Sequence, residues 1–376
     1  MDKTTWQRVK LGEIGKITTG KTPSQNNPQD WGDETLFITP SDYKNYYKYA
    51  KNSIRKISKE GKTRFKNIIL PKNSILVTCI GSDMGKVVIN YKECLTNQQI
   101  NSITPNAKVL YNFLYYHMVF LYPVLKNFGL SGTAIPILNK SDFENIEISL
   151  PPLETQHKIA EILSSLDDKI DLLHRQNKTL ESLALTLFRH SFIDNPKRNE
   201  WQIGKLGDYI EIFDNKRIPL SKLQRDKMKA GTLYPYYGAA NIMDYVNDFI
   251  FDGAYILMGE DGTVETEDGY PILQYASGKF WVNNHAHIFK AKAPYNDFFI
   301  LNFLKQTNIS HIVTGAVQPK INQENLKSIP FCKYPIELVS WFIEATNTYF
   351  DKINANKKQI QNLQSMRDML LAKILT

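Results

Sequence analysis

The feature that most constrains this chain is a long amphipathic stretch, residues 153–192, that occurs twice. The first copy carries Ile159, Leu163, Leu166, Ile170, Leu173, Leu180, Ala184 and Leu187 on one line, with Asn177 as its polar member. Steps of four and three residues mark the seam of an amphipathic or coiled-coil helix. Pro151 and Pro152 stand just before it; proline offers no amide donor and pushes the preceding residue out of helical geometry. At the helical rise, such an element spans roughly 50–55 Å, too long for a routine helix of a small core.

The second copy, residues 336–375, follows at an offset of 183. Pro335 matches Pro152, Glu337 matches Glu154, and Asp351-Lys352-Ile353 matches Asp168-Lys169-Ile170. Its seam reads Phe342, Tyr349, Ile353, Ile360, Leu363, Leu370 and Ile374, interrupted by Thr346, Asn356 and Arg367. Two narrow apolar faces of this length each need a partner, and each is the nearest candidate for the other.

The repeat continues outside the helices, and internal similarity of this kind decides architecture before any local assignment. Trp6-Gln7-Arg8-Val9-Lys10-Leu11-Gly12-Glu13 returns as Trp201-Gln202-Ile203-Gly204-Lys205-Leu206-Gly207-Asp208, at offset 195. Residues 131–139, SGTAIPILN, return as residues 314–322, TGAVQPKIN, at offset 183, so the first body is 12 residues longer. The chain is a duplication: a globular body at 1–150, a long helix at 151–195, a second body at 196–335 and a second helix at 336–376. Between the landmarks the bodies are nearly unrelated, which suggests one kind of task on two different targets.

This connectivity predicts an antiparallel helix pair. The chain leaves body one along the first helix, and the second helix can pack on it only by running back. Setting Asn177 opposite Asn356 places Ile159 against Ile374, Leu163 against Leu370, Ile170 against Leu363, Leu173 against Ile360, and Leu180 against Ile353. Two facing amides can satisfy each other, and a buried asparagine pair fixes register. Leu166 then meets Arg367, which must carry its charge outward. The alternative is that both asparagines face solvent or another subunit.

With 376 residues the chain has room for two or three cores, and 42% hydrophobic with 22% charged residues is ordinary for a soluble protein. No run is long and apolar enough for a membrane span, and the N-terminus lacks a signal segment. Cys79, Cys94 and Cys332 are odd in number and far apart, which predicts reduced thiols, a cytoplasmic location and no structural zinc.

The net charge of +8 is concentrated. Residues 44–66 hold nine Lys or Arg against Glu60 alone, and Tyr43, Tyr46, Tyr47 and Tyr49 are interleaved with them. Cations neutralise phosphates and tyrosines pack on sugars and bases, so double-stranded DNA is the expected partner. A solvated basic loop is the plainer alternative. Lys44, Lys48, Lys51, Arg55 and Lys56 are the candidate phosphate contacts. Asn45, Tyr46, Ser82 and Lys86 are candidate base readers in the first body, with Tyr236, Asn241, Thr263 and Gln318 in the second, where Lys320 is a further DNA-binding candidate. Residues 241–270 hold eight acids and no Lys or Arg. They face a protein or solvent, or one or two accept from cytosine N4.

Locally, the bodies read as mixed α+β rather than a βαβ series. Strands are expected at 14–18, 36–38, 68–71, 74–80 and 86–89, with a turn at 81–85 and an aromatic buried helix at 110–128. The second body repeats the order, with a turn at 259–262 and a helix near 297–306.

Three patterns mimic catalytic or metal motifs. Gly15-Lys16-Ile17-Thr18-Thr19-Gly20-Lys21-Thr22 fits the phosphate-loop spacing, but Pro23 to Pro28 follows where a helix must start, so a tight turn is the reading. Asp42 with Glu60-Gly61-Lys62 fits a nuclease spacing, but that segment is too polar for the buried strand such a site requires. His285 and His287 lack a third ligand at useful spacing, so a hydrogen-bonded or DNA-facing pair is expected rather than zinc. No GxSxG, HExxH or amino-methyltransferase Asn/Asp-Pro-Pro-aromatic motif occurs, so no catalytic residue is assigned.

The layout resembles the specificity subunit of type I restriction-modification systems over essentially the full chain. The resemblance rests on Trp6, Lys10-Leu11-Gly12-Glu13, Gly20-Lys21-Thr22-Pro23, Pro151-Pro152-Leu153-Glu154, Gln156, Ile159-Ala160, Leu163, Leu166-Asp167 and Ile170, and their second copies. Trp281-Val282-Asn283-Asn284-His285-Ala286-His287-Ile288-Phe289 also resembles a family stretch. The second copy departs at Pro335-Ile336-Glu337-Leu338-Val339. The resemblance implies two target-recognition domains separated by two antiparallel coiled-coil helices, each domain reading half of a split, asymmetric site. It implies two modification subunits that bind S-adenosylmethionine and methylate adenine, and motor-nuclease restriction subunits that use ATP and Mg. This chain would hold no cofactor. Half-site centres about one DNA turn apart, roughly 34–36 Å, would suit such a spacer. The rival reading is a scaffold whose coiled coil docks proteins while the bodies do not touch DNA.

Overall fold

The computed structural model describes residues 4–45, 47–81, 83–127, 137–315 and 318–376. Tyr46, Ser82 and the landmark residues 131–136 lie outside them, as does the side chain of Asn45. By its contacts the chain forms two compact units, Met1–His174 with Lys357–Thr376, and Arg175–Asn356. Each unit therefore contains one globular body and a length of both long helices.

The first long helix runs Leu153–Phe188 and ends in a π turn, Arg189–Ile193; the second runs Ile336–Leu375. Neither stretch contains Gly or Pro, and both are rich in Leu, Lys, Glu and Gln, which lose little rotamer freedom in a helix. Neither is long and apolar enough to cross a membrane, nor is any other helix among the described residues.

In the first unit, a five-stranded sheet is ordered Gly15–Thr19, Ile100–Pro105, Ile75–Thr78, Val87–Asn90, Tyr49–Ala50. Its neighbours are antiparallel except the last pair, which is parallel. All four residues of Ile75–Thr78 are buried, as expected for a central strand covered on both faces. The aromatic helix Tyr111–Phe120 contributes Phe113, Leu114 and Met118 to the core. A second sheet joins Trp31–Gly32, Arg55–Ile57, Thr35–Ile38 and Cys94–Thr96.

Two local expectations change here. Residues 68–71 are not a strand: Lys66–Ile68 forms a 3-10 turn, and Leu70 makes only an isolated bridge to Cys94. The basic segment is not all loop. Arg55–Ile57 is a strand, and Lys59–Arg64 is a short helix whose N-cap, Ser58, accepts from the Gly61 amide. Arg-Lys-Ile has little intrinsic strand preference, so pairing on both sides decides it.

The second unit centres on a six-stranded sheet ordered Ile210–Ile212, Ala286–Ala291, Phe251–Gly259, Leu273–Val282, Tyr234–Tyr237, Ile242–Val246. Its helix Asp297–Leu304 is capped by Asn296, whose side chain accepts from the Phe299 amide. Phe188 and Phe192 of the first long helix and its π turn pack edge-on against Phe299 and Phe342, with centroids 5.0–5.5 Å apart.

Within each unit the long helices pair antiparallel. In the first, Ile170 and Leu173 cluster with Ile360 and Leu363, while Ile159 and Leu163 share a core with Leu371 and Leu375. In the second, Leu180 and Ala184 cluster with Ile353 and Tyr349. Asn356 is fully buried, and its Nδ2 donates to Asn177 Oδ1 at 2.8 Å and to Gln176 Oε1 at 2.9 Å.

The seam differs from the sequence reading at two points. The most buried residues near the end of the second helix are Leu371 and Leu375, with Leu370 and Ile374 packed alongside. A straight helix drifts about 20° per heptad, and here the helix meets a broad body core rather than a narrow seam alone. Arg367 does not carry its charge outward. Its Nη1 donates to Asp167 at 3.0 Å and its Nη2 to Asp368 at 2.9 Å. Burial alone would lower its pKa, but the two carboxylates hold it above the usual arginine range.

Candidate nucleic-acid interface

The nine cations of residues 44–66 separate into three groups. Lys62 pairs with Glu93 and Arg64 with Asp30. Lys44, Lys51, Arg55, Lys56, Lys59 and Lys66 have no ion pair among the described residues, and all but the half-buried Lys56 are exposed.

Lys48 corrects the phosphate-contact reading. It is 5% exposed, and its Nζ donates to Tyr116 Oη at 3.1 Å and Ser164 Oγ at 2.9 Å. The rings of Tyr115 and Tyr116 lie 5.4 and 4.7 Å from it. Burial pulls its pKa down to about 8 against the opposing pull of Asp167 and Asp168. Tyr116 Oη donates onward to Asp167 at 2.7 Å, and Tyr47 stacks on His174 at 4.4 Å. These contacts fasten the chain just beyond Lys44 to the first long helix, so Lys48 positions the basic segment and does not meet a phosphate.

The loop between the strands Thr35–Ile38 and Arg55–Ile57 is held rigidly. Asp42 is 2% exposed, and its carboxylate accepts from the amides of Thr39 at 2.8 Å and Ile54 at 2.9 Å. Ser53 Oγ accepts from the Phe37 amide and donates to the Arg55 carbonyl. Asp42 therefore orders a loop, and Glu60 and Lys62 sit on a helix, so the nuclease spacing brings no site together. The phosphate-loop spacing fails likewise. The Gly20 and Lys21 amides donate to the carbonyls of Ile100 and Thr96, which leaves them none for a phosphate.

Lys86 is exposed and pairs with Asp83 at 2.7 Å. In the second body Tyr236 is 1% exposed, and its Oη accepts from the Leu220 amide at 2.9 Å, so it is a core residue and not a base reader. Asn241, Thr263, Gln318 and Lys320 are exposed. The structure gathers their loops: the Gly262 amide donates to the Pro319 carbonyl, Asp261 bridges Lys320, and Gln274 Nε2 donates to the carbonyls of Gly238 and Ala239.

Acids of residues 241–270 are met by cations and polar groups from elsewhere in the unit. Asp244 pairs with Arg225 and Lys229, Glu265 accepts from Ser310, and Asp261 pairs with His285. Glu260, Asp214 and His287 lie close enough to hold a metal, but Arg217 occupies their midst. Its Nη1 is 2.5 Å from Glu260 and its Nη2 3.4 Å from Asp214. His287 Nδ1 lies 2.6 Å from Asp214 and its Nε2 2.8 Å from the Ile321 carbonyl. Burial alone would raise the Asp214 pKa; His287, the Ile288 amide and Arg217 together bring it below the usual carboxylate value. With the guanidinium between the acids and both imidazole nitrogens engaged, the geometry suits an internal clamp. Nothing in the local sequence singled out Arg217, which lies 43 residues before Glu260.

A family model described as the type I restriction modification DNA specificity domain matches residues 3–182 and again 198–336. The chain belongs to this family. Both bodies and most of the first helix fall within the two matches. The MjaIX specificity subunit of Methanocaldococcus jannaschii is 27% identical, over 98% of this chain and 92% of its own length. The MjaVIII specificity subunit of the same organism is 23% identical over 99% and 92%. The crystal structure of a type I S subunit from M. genitalium shares the fold, with a TM-score of 0.55 at 16% identity, over 99% of this chain and 96% of that one. The chain is thus a specificity subunit of a type I system, the recognition component and not a catalytic one.

Proposed function

We propose that this chain reads a split, asymmetric DNA sequence, one half with each body, and directs adenine methylation and restriction by partner subunits. The observation that carries the reading is the doubled family match spread over two bodies that share a frame but not its contents. The uncompensated cations of residues 44–66 support DNA as the partner of the first body. Two modification subunits would bring S-adenosylmethionine, and motor-nuclease subunits would bring ATP and Mg, all in the cytoplasm. The chain itself would supply sequence selection and spacing.

The test exchanges residues 4–150 for the corresponding body of another family member, in the assembled methyltransferase, and reads the methylated sequence genome-wide. One half of the site should change while the other stays. A change in both halves, or in neither, would reject reading by separate bodies. If the unaltered complex methylates DNA but the first body can be exchanged without effect, a scaffold role is favoured.

A further inference from the structure

One exposed residue of the first body is out of place by its chemistry. Ile54 is 70% exposed on a loop that is not loose, since its own amide donates to the buried carboxylate of Asp42 at 2.9 Å. A large aliphatic side chain held out in water on a fixed backbone gains nothing for folding.

Its neighbour is equally prepared. Arg55 is exposed and has no carboxylate partner among the described residues. Its guanidinium carbon lies 4.6 Å from the centre of the Trp31 ring and 5.0 Å from that of Phe37. Those rings meet edge to face at 5.1 Å. A guanidinium stacked in this way keeps its hydrogen-bonding fork while losing much of its rotamer freedom before any partner arrives. Ile54, Arg55, Lys56, Trp31, Gln25 and Asp33 line one open depression of about 660 Å³.

We infer that Ile54 and Arg55 are sequence-reading residues of the first body, the aliphatic side chain against a thymine methyl and the guanidinium against a guanine. The inference rests on the DNA-reading function proposed above. The major groove presents these two features, an apolar methyl on thymine and the paired O6 and N7 acceptors on guanine. A duplex suits the surroundings, because Lys51, Lys56 and Lys59 are near in sequence and none is in an ion pair among the described residues. The same stretch therefore divides its work: lysines meet phosphates and fix orientation, while Ile54 and Arg55 discriminate.

The experiment uses the full chain assembled with its modification subunits, and the site found by mapping methylated adenines. Each thymine of the site is replaced in turn by deoxyuridine, which removes only the methyl group. For the unaltered complex, one replacement should weaken binding about fivefold or more, and with Ile54→Ala that replacement should have no further effect. Arg55→Gln should weaken cognate binding about tenfold or more, relax selection at one G·C pair, and leave binding to random duplex nearly unchanged. Arg55→Lys should also lose selection, since an ammonium lacks the fork. Equal responses of the unaltered and Ile54→Ala complexes at every thymine would overturn the assignment of Ile54. Equal weakening of cognate and random duplex by Arg55→Gln would make Arg55 a phosphate contact and overturn its assignment. Failure of the unaltered complex to prefer its own site would instead remove the underlying function. Ile54 projects from the surface, so Ile54→Ala should not move the melting temperature, whereas Arg55→Gln gives up the stacking on Trp31 and Phe37 and should lower it slightly.

Discussion

Replacing the buried amides between the long helices should give a coupling larger than that of an ordinary contact, with the double variant more stable than the worse single one. Asn356 is fully buried, and its single amide nitrogen serves both Asn177 and Gln176 while its own Oδ1 has no partner among the described residues. Asn356→Leu leaves the Asn177 carbonyl oxygen without its donor in a site 7% exposed; an orphaned buried acceptor costs about 1–3 kcal/mol. Gln176 is exposed and turns to water at little cost. Asn177→Leu is milder, about 1 kcal/mol, because Asn356 keeps its bond to Gln176. The double leucine variant removes both polar groups, and also the oxygen that is already unsatisfied, so it should return to within about 1 kcal/mol of the parent or exceed it. Hydrogen exchange of the helix amides around residues 177 and 356, with melting temperature as a second measure, reads each corner of the cycle. Additive losses, with the double variant worse than either single, would refute a mutual amide pair at this position.

Three further outcomes follow from the packing. His117 is 4% exposed and burial pulls its pKa down to about 4, so the unfolded chain takes up a proton between about pH 6.5 and 4 that the folded chain refuses. Stability of the first unit should fall with pH across that window, by about 3 kcal/mol at most, and His117→Phe should flatten the slope in melting curves taken from pH 7 to 4. A Cβ at Gly20 would lie 2.2 Å from the Asn97 carbonyl and 2.3 Å from that of Thr96; Gly20→Ala should lower stability by about 1–3 kcal/mol in a thermal melt, whereas a Lys21→Ala control should not. Arg217→Met should remove the buried guanidinium shared by Asp214 and Glu260, leaving Glu260 only the exposed Lys320 at 3.6 Å, and cost about 3 kcal/mol. Trp281, whose indole donates to the Ile218 carbonyl, reports the change by fluorescence during denaturation.

What the sequence disclosed and what it concealed divide along one physical line. The long helices were legible because their signal is summed over many turns, as Ile159, Leu163, Ile170 and Leu173 show, and any one exception leaves the period intact. The duplication was legible for the same reason. The strand Arg55–Ile57 was not, because Arg and Lys give no strand signal and its neighbours decide. Lys48 was misplaced because a cation becomes a core residue only when Tyr116 and Ser164, 68 and 116 residues away, arrive to receive it. Arg217 was hidden for the converse reason: its partner Glu260 belongs to a stretch that composition alone shows as acidic, without the cation that folding brings to it. Tyr236 looked like a loop aromatic until the Leu220 amide and the parallel pairing of its strand with Trp281 enclosed it.

The division of the chain has a temporal meaning as well as a spatial one. Residues Arg175–Asn356 are a continuous insertion between the two parts of the other unit. During synthesis the first body emerges early, yet Leu371 and Leu375, which sit in its core, follow only after the whole second unit. At roughly 5–20 residues per second, that interval is on the order of 10–45 s. The second unit can close while the first still waits with part of its apolar surface open. A chaperone or a partner subunit that covers the faces of Ile159 and Leu163 during that interval would meet a form of the first body that the finished molecule never presents.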